Sequence, residues 1–133
     1  MEFRDKRVLV TGAAGIFGTW IAHAFAHRGA RLCLSDNRGP ALATVAARIG
    51  ADPARVLLHP TELRDAGSIA DLAALVAREW RAPDVVVNVA GLYPRTPPLL
   101  DLDPAEWDRI MDVNLRAPFL VVQAMARLMI AER

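Results

Sequence analysis

The segment Thr11-Gly12-Ala13-Ala14-Gly15-Ile16-Phe17-Gly18 restricts the fold more than any other part of the chain. It joins Arg7-Val8-Leu9-Val10, an apolar run with the length of a buried strand, to residues 19–28, which read as a helix. Glycines at three-residue intervals in such a place have separate uses. The first permits a tight turn, the second lets the backbone approach a bound group, and the third lets helix and strand pack closely. The first helical turn then points unpaired N–H groups and a positive dipole end at the loop, an arrangement suited to a pyrophosphate. A Gly-rich turn that only reverses the chain fits the same spacing. Asp36 shifts the reading toward a dinucleotide, because it ends the next strand (31–35), eighteen residues beyond Gly18. A carboxylate there accepts both ribose hydroxyls of an adenosine and repels a 2′-phosphate, which predicts NAD in preference to NADP. Arg38 stands two residues on and moderates that preference; an ordinary turn aspartate is the alternative.

The remainder alternates strand and helix. Strands are predicted at 7–11, 31–35, 56–59 and 84–89, and helices at 16–28, 40–50 and 68–80, with apolar Ile69, Leu72, Leu75 and Val76 at helical spacing in the last. Near-continuous apolar strands separated by helices imply a parallel sheet covered on both faces. Right-handed crossovers give it the order 3-2-1-4. The expectation is one doubly wound, three-layer α/β/α domain over 1–133, with residues 92–103 as its long loop. Asp103, Pro104 and Glu106 then form an N-cap, a first-turn proline and a capping box for a final helix. Pro118 interrupts that helix and has no N–H for the carbonyl of Asn114, so a kink and a vacant acceptor are expected there.

Sixteen basic against fifteen acidic residues leave a net charge of +1 with no basic block, so neither nucleic acid nor an anionic membrane is implied. No apolar run reaches spanning length, and the first residues lack a secretory pattern, which leads to a cytoplasmic expectation. The single Cys33 lies mid-strand and permits no intrachain disulfide. His23 and His27 lie four apart with Trp20 on one helical face, a spacing open to two metal ligands, but no acid or cysteine joins them locally, so a covered or solvated face is preferred and no metal is expected. His59 ends a strand, and Ser68 reads as a helix-start residue without a nucleophile's partners.

Four motifs in order resemble the short-chain dehydrogenase/reductase family: Thr11-Gly12…Gly15…Gly18, Asp36, Asn88-Val89-Ala90-Gly91, and Trp107-Asp108…Val113-Asn114-Leu115-Arg116-Ala117-Pro118-Phe119. The resemblance implies a Rossmann-like fold and hydride transfer between a nicotinamide and an alcohol or carbonyl substrate. It assigns the pyrophosphate to Gly12, Ala14, Gly15, Ile16, Phe17 and Gly18, and the adenosine ribose to Asp36. Glu62 and Leu63 fall beside the adenine, while Asn88, Ala90 and Gly91 fall at the nicotinamide ribose. Asn114 corresponds to the helix asparagine whose main-chain carbonyl holds a water in the family's proton relay; a packing kink is the alternative.

There are departures. Gly15 stands one position earlier than the family's usual middle glycine, Glu62 replaces an Asp, and Val89 replaces an Asn. The family's serine and Tyr-x-x-x-Lys element are missing: the only Lys is Lys6, and the only Tyr, Tyr93, has Pro97 four residues on. A phenol near pKa 10 needs a neighbouring cation to act at neutral pH. The resemblance covers a typical member's N-terminal half, truncated after the fifth helix. A cofactor-binding half that is inactive alone is therefore expected. The rivals are a non-catalytic NAD-binding module and a half-domain that pairs with another chain. Such pairing, or a homo-oligomer, would use the last helix or the exposed edge of strand four.

Overall fold

The computed structural model describes residues 3–93 and 97–133. Pro94, Arg95 and Thr96, part of the long loop expected from the sequence, lie outside them. Four parallel strands form the sheet: β1 (Arg7–Thr11), β2 (Arg31–Asp36), β3 (Val56–Pro60) and β4 (Val85–Asn88). Their order is β3-β2-β1-β4, as right-handed crossovers require. The strands alternate their side chains between two cores. Val8, Val10, Leu32 and Leu34 face one side, where α1 (Ile16–Ala26) contributes Ala22 and α2 (Gly39–Arg48) contributes Leu42 and Val45. Leu9 and Cys33 face the other, against Ile69, Leu72, Val76 and Trp80 of α3 (Ala66–Trp80) and Val121 and Met125 of the last helix. This is a Rossmann-like α/β sheet. Among the described residues, β3 and β4 are its edges.

At the end of the sheet away from the glycine loop, Arg7 joins three elements. Its guanidinium donates to the Asp84 carboxylate at 2.8 and 3.1 Å and to the Trp80 carbonyl at 2.6 Å. The Asp84 carboxyl is held down to about 2 by that guanidinium first, against burial, and then by the Arg7 amide.

The final helix differs from expectation in three respects. It begins with α4 (Pro104–Met111), and Asp103 caps it by accepting from the Ala105 N–H at 2.8 Å. Glu106 does not complete a capping box; its carboxylate takes two hydrogen bonds from Arg109, at 2.8 and 2.7 Å. A charge-assisted pair one turn away outcompetes a neutral amide. Residues Asp112–Arg116 form a π-helical turn in which the Ala117 N–H donates to the Asp112 carbonyl, five residues back. Regular helix resumes as α5 (Ala117–Ala131), with Pro118 in its first turn. A widened turn, not foreseen from the sequence, thus stands directly ahead of Pro118, and helical structure continues on both sides of it. The continuous helical stretch Pro104–Ala131 is also long and apolar enough to cross a membrane by length and composition, contrary to the expectation of no such run. Its residues Ala117, Val121 and Met125 are fully buried.

Candidate functional site

The C-terminal ends of β1, β2 and β4 open into a cleft of about 530 Å³. Gly12, Gly15, Ile16, Phe17 and Gly18 line one wall. Gly12 has φ +64°, and a Cβ on it would lie 2.6 Å from the Ala90 backbone, so this glycine serves both the turn and the approach of β1 to the end of β4. Gly18 lies beneath the loop, where a Cβ would strike the Gly12 carbonyl oxygen and come within 2.8 Å of the Ala13 Cα. The Thr19 hydroxyl ties α1 to the same loop by donating to the Ala13 carbonyl at 3.1 Å. Gly15 precedes α1 with an extended backbone, and no side chain caps that helix or places an acid in its first turn. The amides of Ile16, Phe17 and Gly18 therefore belong to a helix start that supplies donors and positive potential without an internal counterion.

A second wall comes from the ends of β2 and β3. Asp36 is buried, and its two oxygens are closely held. One accepts from the Arg38 amide at 3.0 Å and Arg38 Nε at 3.1 Å; the other accepts from the Ala14 amide at 3.0 Å and Arg38 Nη2 at 3.4 Å. Burial pushes this carboxyl up, but the hydrogen bonds from the Arg38 side chain and from the two amides outweigh it, leaving a net downward shift. Glu62 and Leu63 share this wall with Thr61 and Arg64. Glu62 is held locally, its carboxylate accepting from the Arg64 amide at 3.0 Å and its amide donating to Ser68 Oγ at 2.9 Å. Ser68 thus steadies the turn into α3. His59 is satisfied by Thr61 Oγ1 at 2.9 Å from Nδ1, and Ser35 donates to the same hydroxyl at 2.8 Å.

The third wall is Val89, Ala90, Gly91 and Leu92, faced by Arg109 and Val113 across the helix. Three residues singled out from the sequence are not on the lining. Ala14 contributes its amide to Asp36, and Asn88 ends β4 in register with Thr11. Asn114 turns its side chain toward this wall: Oδ1 accepts from the Leu92 N–H at 2.7 Å and Nδ2 donates to the Leu92 carbonyl at 2.8 Å. Sequence reasoning missed Arg109 and Val113, whose four-residue spacing on one helix face was an available signal. It also missed the Asn114 amide clamp, hinted at only by a polar residue of low helix propensity inside a helix.

The rings of His23 and His27 meet edge-on at 4.4 Å, and no group of three or more metal-binding side chains exists among the described residues. Burial raises the Cys33 thiol to about 12, leaving it without nucleophilic character at neutral pH.

Comparison with known proteins agrees with this geometry. D-threitol dehydrogenase of Mycolicibacterium smegmatis is 35% identical over 131 residues, and sorbitol dehydrogenase of Cereibacter sphaeroides is 31% identical over 131 residues. The match takes in 97% and 98% of this chain but 50% of each relative. A metagenomic short-chain oxidoreductase solved in complex with NADP superimposes with a TM-score of 0.90 at 35% identity, covering 98% of this chain and 59% of that one. Residues 6–133 match the family model for short chain dehydrogenases, and the chain belongs to that family.

Proposed function

We propose that this chain forms the NAD-binding part of an oxidoreductase that moves a hydride between nicotinamide and a small alcohol or carbonyl compound. The observation that carries this reading is the meeting, in one cleft, of an uncapped helix start, a buried carboxylate and the end of β4. The amides at Ile16, Phe17 and Gly18 suit a pyrophosphate, and a Cβ at Gly15 would have only the Gly12 carbonyl for company, at 3.3 Å. Asp36 receives the adenosine ribose, Glu62 and Leu63 border the adenine, and Ala90 and Gly91 border the nicotinamide ribose, with Asn88 and Ala14 supporting from behind. Asn114 orders the lip of the cleft through Leu92 and takes the catalytic-relay role by its carbonyl. Polyol names among the relatives support a hydroxylated substrate, and members of the family are generally soluble, in keeping with a cytoplasmic site of action. Without a Tyr-x-x-x-Lys element, the chain alone binds cofactor and does not turn over.

The test is isothermal titration of NAD and NADP into the chain and its Asp36→Ala variant. NAD preference that fades in the variant is the expected result. A folded sample that binds neither dinucleotide overturns the proposal.

A second reading has its own observation. The edge strand β4 packs beside α5, which exposes Phe119 and Val122, and α1 exposes Phe17 and Trp20. Such an edge suits another α/β chain or a second copy. Sedimentation that stays monomeric across the micromolar range would refute it.

A further inference from the structure

We infer that His23 and His27 form a two-histidine chelate for a divalent transition metal at the C-terminal end of α1, with copper(II) preferred. The inference is independent of the dinucleotide cleft and runs against the metal-free expectation from the sequence.

The His27 amide donates to the His23 carbonyl at 3.0 Å, so helical geometry extends across the pair. Side chains four apart on a helix are neighbours, with Cβ atoms about 5–6 Å from each other. The two ring centroids lie 4.4 Å apart at an interplanar angle of 69°. A metal bonded at about 2.0 Å to one nitrogen of each ring would sit about 3.2 Å from each ring centre. Ligands at right angles then put the centres about 4.5 Å apart, and ligands at the tetrahedral angle put them about 5.2 Å apart. The observed separation matches the right-angle arrangement, which tetragonal copper(II) adopts and tetrahedral zinc does not. The rings meet edge to face, so binding requires a rotation that aims a nitrogen of each at one point. Both side chains are exposed, and among the described residues neither makes a hydrogen bond or an ion pair. The rotation therefore sacrifices only the ring contact.

The surroundings favour a cation. His23 stands in the last turn of α1 and His27 caps it, where the carbonyl end of the helix carries negative potential. Arg28 is the adjacent opposing charge, and its guanidinium is tied back to the Ala24 carbonyl at 2.9 Å. Two imidazoles leave the remaining positions on the metal to water, so the intrinsic order of divalent metals for nitrogen ligands, with copper highest, is not overridden by a closed cage. A chelate across one turn forms on the helix and not on the unfolded chain. Metal binding therefore stabilises the folded protein by mass action.

The test is isothermal titration of copper(II), nickel(II) and zinc(II) into the 133-residue chain and its His23→Gln, His27→Gln and His59→Gln variants. Copper is expected to bind more tightly than nickel or zinc. Loss of either ring forfeits the chelate and is expected to weaken copper by about 10-fold or more, whereas His59→Gln leaves it unchanged. Glutamine is at least as good a helix former as histidine, so the variants keep the parent's Tm without metal. With copper, the Tm of the parent rises and those of His23→Gln and His27→Gln do not. Electron paramagnetic resonance of bound copper is expected to show two imidazole nitrogens in the parent and at most one in either variant. Affinity falls on acidification, because a protonated imidazole has no lone pair for the metal. Copper bound equally well by His23→Gln or His27→Gln, or zinc bound by the parent as tightly as copper, overturns the inference. Both outcomes leave the dinucleotide proposal untouched, since its own test is the titration of NAD and NADP.

Discussion

Replacing Asn114 by aspartate isolates what its side chain does. In the parent chain one amide makes two hydrogen bonds to the peptide groups of Leu92, at 2.7 and 2.8 Å. Both are solvent-exposed, so at about 0.5–1 kcal/mol net for each, Asn114→Ala should lose about 1–2 kcal/mol. Asn114→Asp at pH 7 should lose more, about 2–3 kcal/mol, because the ionised carboxylate is acceptor-only and turns an oxygen toward the Leu92 carbonyl. The two variants then separate on acidification. Once protonated, the carboxyl introduced by Asn114→Asp regains the donor, so folding raises its pKa above the unfolded value of about 3.9. Its stabilising contribution is fully present below that value and is lost as pH rises through the raised folded pKa. Urea unfolding followed by tryptophan fluorescence, with buried Trp80 as reporter, measures each variant against the parent at pH 7 and pH 4. Equal losses for the two variants at pH 7, or an aspartate deficit that does not shrink at pH 4, would refute the clamp.

The Arg7–Asp84 pair should supply acid-sensitive stability. With the folded carboxyl near 2, its contribution is present above the unfolded value of about 3.9 and lost as pH falls toward 2. Asp84→Asn should cost about 1–2 kcal/mol at pH 7, allowing for solvent screening, and flatten that part of the pH–stability curve in urea titrations; an unchanged curve counts against the pair. Thr11 Oγ1 is buried with no hydrogen-bond partner among the described residues, so Thr11→Val should raise stability by about 1 kcal/mol, seen as a higher Tm. A lower Tm would mean that the hydroxyl has a partner. Gly12→Ala should destabilise by about 2 kcal/mol or more, since strain at φ +64° adds to the clash with Ala90. Gly50→Ala, at φ +62° with nothing within 4 Å, should cost only about 1 kcal/mol by the same thermal assay, and equal losses at the two sites would remove the clash from the account.

What the sequence disclosed was local. The apolar run before Thr11, the glycine spacing and the position of Asp36 are short-range patterns, and right-handed crossovers converted alternating elements into the observed strand order. What it concealed depends on chain segments that meet only after folding. The Ala14 amide reaches Asp36 across 22 residues, and Asn114 reaches Leu92 across another 22. Neither contact leaves a periodicity to read. Glu106 carried the signature of a capping box, yet its carboxylate had a stronger donor in Arg109, three residues on. At Pro118 the sequence located the perturbed stretch correctly, but a missing N–H does not by itself reveal that the turn ahead of it is π-helical.

The π-helical turn acts as a gear between the two halves of that helix. Each α-helical residue advances the side-chain direction by about 100°. A row of residues four apart therefore drifts around the axis by about 40° per step and would wind off any one partner over several steps. One residue accommodated in a widened turn sets that phase back. Arg109 and Val113 can thus face the cleft while Ala117, Val121 and Met125, continuing the same row, stay against the sheet. Deleting exposed Leu115 should collapse the turn to ordinary α-helix and rotate one end against the other by about 100°, so that the helix could serve the cleft or the core, but no longer both.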